Sequence, residues 1–238
     1  LKLVVVIPTY NEAENLEKMV SALFDLHIAG LNLLVVDDNS PDGTGDLVEK
    51  IKLTNPHVDV LHRKGKLGLG SAYIQGFTKA LAEGADFVGQ MDCDFSHNPQ
   101  NLVELVRIAR EEADLALGSR YVPGGSLDTA WPVWRRALSG FGNFYARTIL
   151  GLKTRDVTGG FKVWRREMLS KMPLDTIKSN GYVFQVEMLY VATRLGCRVK
   201  ESPIFFADRK FGQSKMSFKI QVEAAIRVWK LPGIHKNL

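Results

Sequence analysis

Short apolar runs alternate with amphipathic stretches through the first half of the chain. Residues 3–7 are apolar and mostly β-branched, as a strand buried on both faces is, and Pro8 ends the run. Asn11 stands at an expected helix N-cap with Glu14 three residues on, as in a capping box; Leu16, Met19, Val20 and Leu23 follow at helical spacing. Residues 31–36 predict a second buried strand, which stops at Asp37-Asp38-Asn39-Ser40-Pro41-Asp42-Gly43. A helix carrying Leu47, Val48 and Ile51, a strand at 58–61 and a helix over 72–82 come next. Phe87, Val88 and Met91 then form a strand running into Asp92, Cys93 and Asp94. A helix over 102–108 leads to a strand at 113–118, ended by Ser119-Arg120.

This alternation predicts an α/β fold of mostly parallel strands with right-handed crossovers. Four strand ends place polar residues on one edge, at 9–12, 37–42, 92–96 and 119–120. That edge is where open α/β sheets bind ligands, and its polar lining describes a nucleotide cleft. No Gly-x-Gly-x-x-Gly follows the first strand, which argues against dinucleotide binding. The Gly-rich stretch 65–70 lacks the Lys-Ser/Thr ending of a phosphate loop and is assigned to capping the next helix.

The texture changes beyond Arg120. A helix is expected over 131–150, with Trp134, Leu138, Phe141, Tyr145 and Ile149 near one face and Arg135, Arg136 and Arg147 beside them. Residues 217–231 repeat the pattern, with Phe218, Ile220, Val222, Ile226 and Trp229 beside Lys215, Lys219, Arg227 and Lys230. Aromatic stripes with basic edges suit helices lying on a membrane surface. Packing on the sheet or a dimer seam are the alternatives.

Composition narrows the class. With 238 residues, 45% hydrophobic and 24% charged, the chain reads as a globular protein, and its formal charge of +5 favours an anionic partner. Cys93 and Cys197 match no zinc or redox spacing and are expected as free thiols in a reducing compartment. Residues 1–7 are too short for a signal peptide, and no run approaches the ~20 apolar residues of a membrane span. The expected place is the cytosol or a membrane face, and the missing initiator Met leaves room for an anchor beyond the given ends.

The candidate chemistry centres on Asp92 and Asp94. Side chains at i and i+2 of an extended segment share a face, so both carboxylates could hold one divalent cation with diphosphate oxygens and water around it. Such an ion acts as a Lewis acid on a departing diphosphate. Asp38 is available for a ribose or base contact, Tyr10 and Glu12 to frame a base, and Pro8 to fix the turn beneath it. Asp37 is assigned to loop amides. Arg120 suits a phosphate oxygen, and Arg209 and Lys215 lie on a basic, Gly-containing loop that could close as a lid. Asp156-Val-Thr-Gly-Gly-Phe marks either a close approach of backbone to ligand or a turn before a strand. His97, before Asn98-Pro99, is assigned to helix entry and not to proton transfer.

Together, Val-Ile-Pro-Thr-Tyr-Asn-Glu, Val-Val-Asp-Asp-Asn-Ser-Pro-Asp-Gly-Thr, Met-Asp-Cys-Asp-Phe-Ser-His, Gly-Ser-Arg-Tyr-Val-Pro-Gly-Gly and the late Asp-Arg-x-x-Gly-x-Ser-Lys resemble, in order, the motifs of the polyprenol-phosphate (dolichol-phosphate) mannosyltransferases, family-2 glycosyltransferases of GT-A fold. The resemblance runs from Val4 to about Ser217. It implies one catalytic domain over 1–238, its 1–120 half binding nucleotide sugar and its 121–238 half facing acceptor and lipid. It further implies inverting transfer of mannose from GDP-mannose to dolichyl or another polyprenyl phosphate, giving a β-mannosyl phosphate lipid and GDP, with Mg²⁺ or Mn²⁺. The expected location is peripheral, on the cytoplasmic face of the endoplasmic reticulum in a eukaryote or the plasma membrane in a prokaryote.

By the same resemblance Pro8, Tyr10, Glu12, Val36 and Asp38 bind guanosine. Asp92 and Asp94 bind the metal, with the Cys93 backbone and Ser96 alongside. Arg120, Arg209 and Lys215 contact the donor diphosphate or acceptor phosphate, and Arg135 and Ser139 the lipid phosphate. The chain departs from the usual Asp-Ala-Asp in having Cys93, has Ser96 where some members have Gln, and lacks the membrane-spanning tail of others, which suggests an interfacial form or a membrane-anchoring partner subunit. An anionic phosphate acceptor needs no protein base. A rival acting on a sugar hydroxyl would need one, for which Glu187 is the candidate. A sugar-nucleotide sensor without transfer is the alternative from another class, and no nucleic-acid-binding module appears.

Overall fold

The computed structural model describes residues 1–208, 218–236 and 238, with backbone alone over 218–223. β1 (Leu3–Thr9), β2 (Leu31–Asp37), β3 (Val58–His62) and β4 (Phe87–Gln90) are joined by α1 (Ala13–Phe24), α2 (Thr44–Thr54) and α3 (Leu69–Ala82). α4 (Asn101–Glu111) leads to β5 (Leu115–Ser119), followed by β6 (Ser126–Leu127), α5 (Val133–Leu150), β7 (Lys162–Arg165) and the one-turn α6 (Arg166–Leu169). α7 (Gly181–Arg194), β8 (Val199–Pro203), β9 (Phe205–Phe206) and α8 (Phe218–Ile234) complete the chain. Among the described residues one sheet runs β3-β2-β1-β4-β7-β5-β8, and β6 pairs with β9 apart from it.

The sheet is mostly parallel, as its apolar strands predict. Both faces are covered: Val4 and Val6 of β1 point into a core with α3 and α7, Leu3, Val5 and Ile7 into one with α1 and α4. β7 is the exception, antiparallel to both β4 and β5. Its four residues include two lysine or arginine side chains, so apolar patterning does not reveal it. The chain enters β7 from the edge where β4 and β5 end, and Gly118 N–H donates to the Phe161 carbonyl (2.9 Å). A Cβ on Gly159 would lie 3.1 Å from the Gly118 carbonyl, so the close approach at 156–161 is to the β5 backbone. The segment forms a turn before β7, as one of its two readings expects.

The start of α1 differs from the expected capping box. Asn11 is left-handed (φ 63°), and the first-turn amides are satisfied from another loop. Asn11 N–H donates to Ser40 Oγ, Glu12 N–H to Thr44 Oγ1 and Ala13 N–H to Asp42 Oδ2, at 3.0–3.1 Å. The loop after β2 thus caps the helix after β1, which holds two strand ends together at the sheet edge.

α7 is buried from Val183 to Ala192 on every face, as a core helix is. Its polar residues are paired inside. Gln185 Oε1 accepts from Lys162 Nζ (2.7 Å) and from Gln90 Nε2 (2.6 Å), joining α7 to β7 and β4. Lys162 is fully buried, and desolvation pushes its amine down to about 7, against the pull of Asp156. The folded protein therefore binds this proton less tightly than the unfolded chain, and stability from this group rises with pH between about 7 and the ordinary 10.5. Lys162→Met is expected to flatten that slope in urea unfolding measured from pH 7 to 10; an unchanged slope would contradict it.

Candidate active site

Strand order reverses between β1 and β4, since β1 leads outward to β2 and β3 while β4 lies on its other side. This switch point lies between the end of β1, carrying Tyr10 and Glu12, and the end of β4, carrying Asp92 and Asp94. The loops here are tightly turned: Asn11, Asn39 and the bulky Phe95 all have left-handed backbone (φ 56–63°). Phe95 turns the chain between Asp94 and Ser96, so that Asp94 Oδ1 accepts both the Ser96 amide (3.0 Å) and hydroxyl (2.5 Å). Asp92, half-buried, accepts from Tyr73 O–H (3.2 Å) at Oδ1.

The β4 backbone is braced from below. Asp92 N–H donates to His97 Nδ1 (3.2 Å), so this nitrogen is unprotonated, and burial pushes the imidazole's pKa down. His97 lies between Phe161 and Phe206 (centroids 5.1 and 5.3 Å away), where it supports the turn and is not placed as a base. Cys93 points into the core of the α4 side, and burial raises its thiol far above the ordinary range. Its contribution at the edge is its backbone.

Pro8 and Val36 are direct neighbours across β1 and β2. Val36 is fully buried in the α3-side core, so only its backbone reaches the edge. Asp37 accepts from Thr9 Oγ1 (3.1 Å), Ser40 N–H (3.0 Å) and Ser40 Oγ (2.5 Å), the loop-holding role its position suggests. Asp38 is bound by Arg63, at the end of β3, and by the amides of Leu67 and Gly68. Burial raises its carboxyl, and these partners oppose the rise. Arg63 also reaches the Gly68 carbonyl (3.3 Å) and Ser71 Oγ (2.6 Å). The stretch 65–70 therefore anchors on Asp38 as well as entering α3. Lys66 of that stretch sits 3.9 Å above the Tyr10 ring centroid, across the cleft. Glu12 Oε2 accepts from Asn15 (2.9 Å).

Arg120 is buried and committed to Asp156, with Nε and Nη2 each 2.7 Å from its carboxylate and Nη2 2.8 Å from Thr158 Oγ1. Burial would raise the Asp156 carboxyl, but Arg120 holds it below its usual range. The expected phosphate-facing fork is thus largely given to a carboxylate. Arg135 stacks over the Trp131 ring (3.6 Å) and pairs with Asp208 (3.3 Å), and Ser139 Oγ lies 2.7 Å from Tyr121 O–H, next to Arg120. Phe206 joins these groups: it lies 5.2 Å from the Arg120 guanidinium, 5.8 Å from Trp131 and against His97. Arg209 and Lys215 fall outside the described residues.

Three expectations are corrected. Glu187 is no candidate base: it is fully buried and accepts from Ser179 N–H (2.9 Å), with His235 Nε2 at 2.8 Å. Trp131 precedes α5 and is buried, its indole N–H donating to Asp208 (2.9 Å). The stripe on α5 is divided, because Tyr145 and Ile149 pack inward, with Tyr145 O–H on the Ala225 carbonyl of α8 (3.2 Å), while Trp134, Phe141 and Phe144 stay exposed. On α8, Ile226 and Trp229 are exposed as well. No helix of the described residues is long and apolar enough to cross a membrane.

Asp92 and Asp94 are hard oxygen donors suited to Mg²⁺ or Mn²⁺. Among the described residues no third His, Cys, Asp or Glu joins them in a metal-holding group, so a cation here needs oxygens from its substrate and from water. That fits an ion brought to the edge with a diphosphate.

A family model described as glycosyl transferase family 2 matches residues 4–172. The chain belongs to glycosyl transferase family 2. This glycosyltransferase is 45% identical over 240 residues to an undecaprenyl-phosphate mannosyltransferase of Micrococcus luteus, covering 100% of this chain and 98% of that protein. It is 44% identical over 233 residues to a polyprenol monophosphomannose synthase of Mycolicibacterium smegmatis, covering 96% of this chain and 87% of that protein. Its fold is of the GT-A type, shared with glucosyl-3-phosphoglycerate synthase of Mycobacterium tuberculosis solved with Mn²⁺ and UDP (TM-score 0.66, 19% identity, 98% of this chain and 79% of that one).

Arg63, Tyr73 and Phe206 carry no role in the sequence reading, and Trp131 enters it only as the start of a helix. Arg63 carries a usable signal, a charged residue two positions after the run at 58–61, on the edge where the other polar strand ends lie. Replacing it by Met leaves Asp38 buried without its cation and is expected to cost about 3–5 kcal/mol of folding stability, measured by urea unfolding. A loss under ~1 kcal/mol, as for an exposed pair, would contradict the geometry.

Proposed function

We propose that this glycosyltransferase moves mannose from GDP-mannose to a polyprenyl phosphate with inversion, giving a β-mannosyl phosphate lipid and GDP. The observation that carries the proposal is end-to-end likeness to a protein named for transfer to undecaprenyl phosphate. Polar strand ends gathered at the β1/β4 switch point support it. Residues 1–120 form the donor half, in which Pro8, Tyr10, Glu12, Val36 and Asp38 line the guanosine site. Asp92 and Asp94, with the Cys93 backbone and Ser96 beside them, hold Mg²⁺ or Mn²⁺. When bound, the cation supplies charge neutralisation and Lewis acidity at the departing diphosphate.

Residues 121–238 form the acceptor half, where Arg135 and Ser139 receive the lipid phosphate. Arg209 and Lys215, which lie outside the described residues, are assigned to the donor diphosphate or the acceptor phosphate. Arg120 is assigned to the donor diphosphate or the acceptor phosphate as a hydrogen-bond donor, its charge being offset by Asp156. The acceptor phosphate is already anionic at neutral pH, so its oxygen attacks the anomeric carbon unaided. The commitment of His97 and Glu187 to other partners agrees with a reaction that needs no protein base. What remains for the protein is to hold two anions in line and shield their repulsion.

The exposed aromatic residues of α5 and α8, edged by Arg and Lys, serve as a face that lies on the cytoplasmic surface of a membrane, either alone or with an anchoring partner subunit. Removing both Trp134 and Trp229 as alanines is expected to weaken sedimentation with anionic vesicles by roughly tenfold or more, on the scale of 1.5–3 kcal/mol per large apolar side chain buried. Unchanged sedimentation would remove this face from the account.

The activity test offers radiolabelled GDP-mannose or UDP-glucose with a polyprenyl phosphate, with and without EDTA. Mild-acid-labile label in the organic phase is expected from GDP-mannose alone and is expected to vanish with EDTA. Asp94→Ala is expected to lose at least ~2.7 kcal/mol of transition-state stabilisation, about a hundredfold in turnover. Near-full turnover of that variant would defeat the assigned metal role.

A further inference from the structure

We infer that Tyr73 is a positioning residue for Asp92, aimed at its carboxylate by an aromatic stack that reaches through α3 to α7. The inference rests on the reading that Asp92 helps to hold a divalent cation. Tyr73 is fully buried on α3, and its O–H donates to Asp92 Oδ1 (3.2 Å). Its ring is fixed on two sides. Phe184 of α7 stacks parallel to it (5.7 Å, 1° between planes) and Phe77 packs at a tilt (5.6 Å, 30°). Phe184 is itself fully buried on a helix buried on every face. α3 also sits hard against β1, since a Cβ on Gly76 would lie 2.4 Å from Val6 Cγ1.

This environment suits phenylalanine except at one atom. A buried hydroxyl is costly unless it is hydrogen-bonded, and the bond it makes is to Asp92. A donor on one carboxylate oxygen fixes the rotation of the group and therefore the direction of the lone pairs left for a cation. Hydrogen-bond partners of metal ligands typically govern affinity by about 10–100-fold. Tyr73 lies in no motif of the family resemblance, and its effect on the cation passes through Asp92.

Tyr73→Phe removes a single oxygen and keeps the stack. The measurement is Mn²⁺ binding in the presence of GDP, followed by the electron paramagnetic resonance signal of unbound Mn²⁺, with thermal unfolding in parallel. The expected result is a Kd for Mn²⁺ weakened on the order of tenfold, with Tm within about 4 °C of the parent. Asp92→Asn is the control and is expected to lose most of the binding. If Asp92→Asn loses Mn²⁺ while Tyr73→Phe binds it as the parent does, the inference is overturned and the metal reading stands. If Asp92→Asn also binds as the parent does, both fall. A lowered Tm with unchanged Mn²⁺ affinity in Tyr73→Phe likewise overturns it, leaving Tyr73 a packing residue.

Discussion

Carboxylates crowded at one edge of a sheet repel one another, and burial raises the cost of each charge. The structure around this edge is arranged to meet that constraint. Asp38 is held by Arg63 and two amides, and Asp156 by Arg120. Asp37 takes hydroxyls and an amide from its own loop and from Thr9. Asp94 takes the Ser96 amide and hydroxyl, and Asp92 the Tyr73 hydroxyl. The first two are ion pairs within the chain, whereas hydroxyl and amide partners orient a carboxylate without cancelling its charge. Charge of that kind, at the switch point of an α/β sheet, is what a divalent ion and a diphosphate can share.

Aromatic contacts and α7 join the elements before Arg120 to those after it. Phe206 lies against His97, which supports the Asp92 backbone, and against Arg120 and Trp131, which leads to Arg135. α7 works from the other side of the sheet, with Phe184 on Tyr73, Gln185 on Lys162 and Gln90, and Glu187 on His235 beyond α8.

The parts legible in the sequence are those governed by local pattern. Apolar runs ending in polar residues locate β1, β2, β4 and β5 and bring Tyr10, Asp38, Asp92 and Arg120 to one edge. The missing parts depend on non-local pairing. β7 is four residues long, and its buried Lys162 is satisfied only by a glutamine of α7. The cap of α1 comes from the loop after β2, so Asn11 and Glu14 gave the wrong device. The pairing of the Arg120 fork with Asp156, 36 residues on, is not visible in the local pattern around either residue. Glu187 reads as a candidate base until α8 covers it. A carboxylate in sequence is a reactive group or a buried acceptor according to which distant donor reaches it.

The central claim is that Asp92 and Asp94 share one cation with the donor's diphosphate. Its most direct test is a crystal of the protein grown with GDP-mannose and Mn²⁺, with anomalous data to locate the ion. The account predicts a single strong manganese peak at the end of β4, within about 2.0–2.6 Å of a carboxylate oxygen from each of Asp92 and Asp94 and of diphosphate oxygens. Manganese bound elsewhere, or a diphosphate seated at this edge with both carboxylates turned from it, would contradict the account.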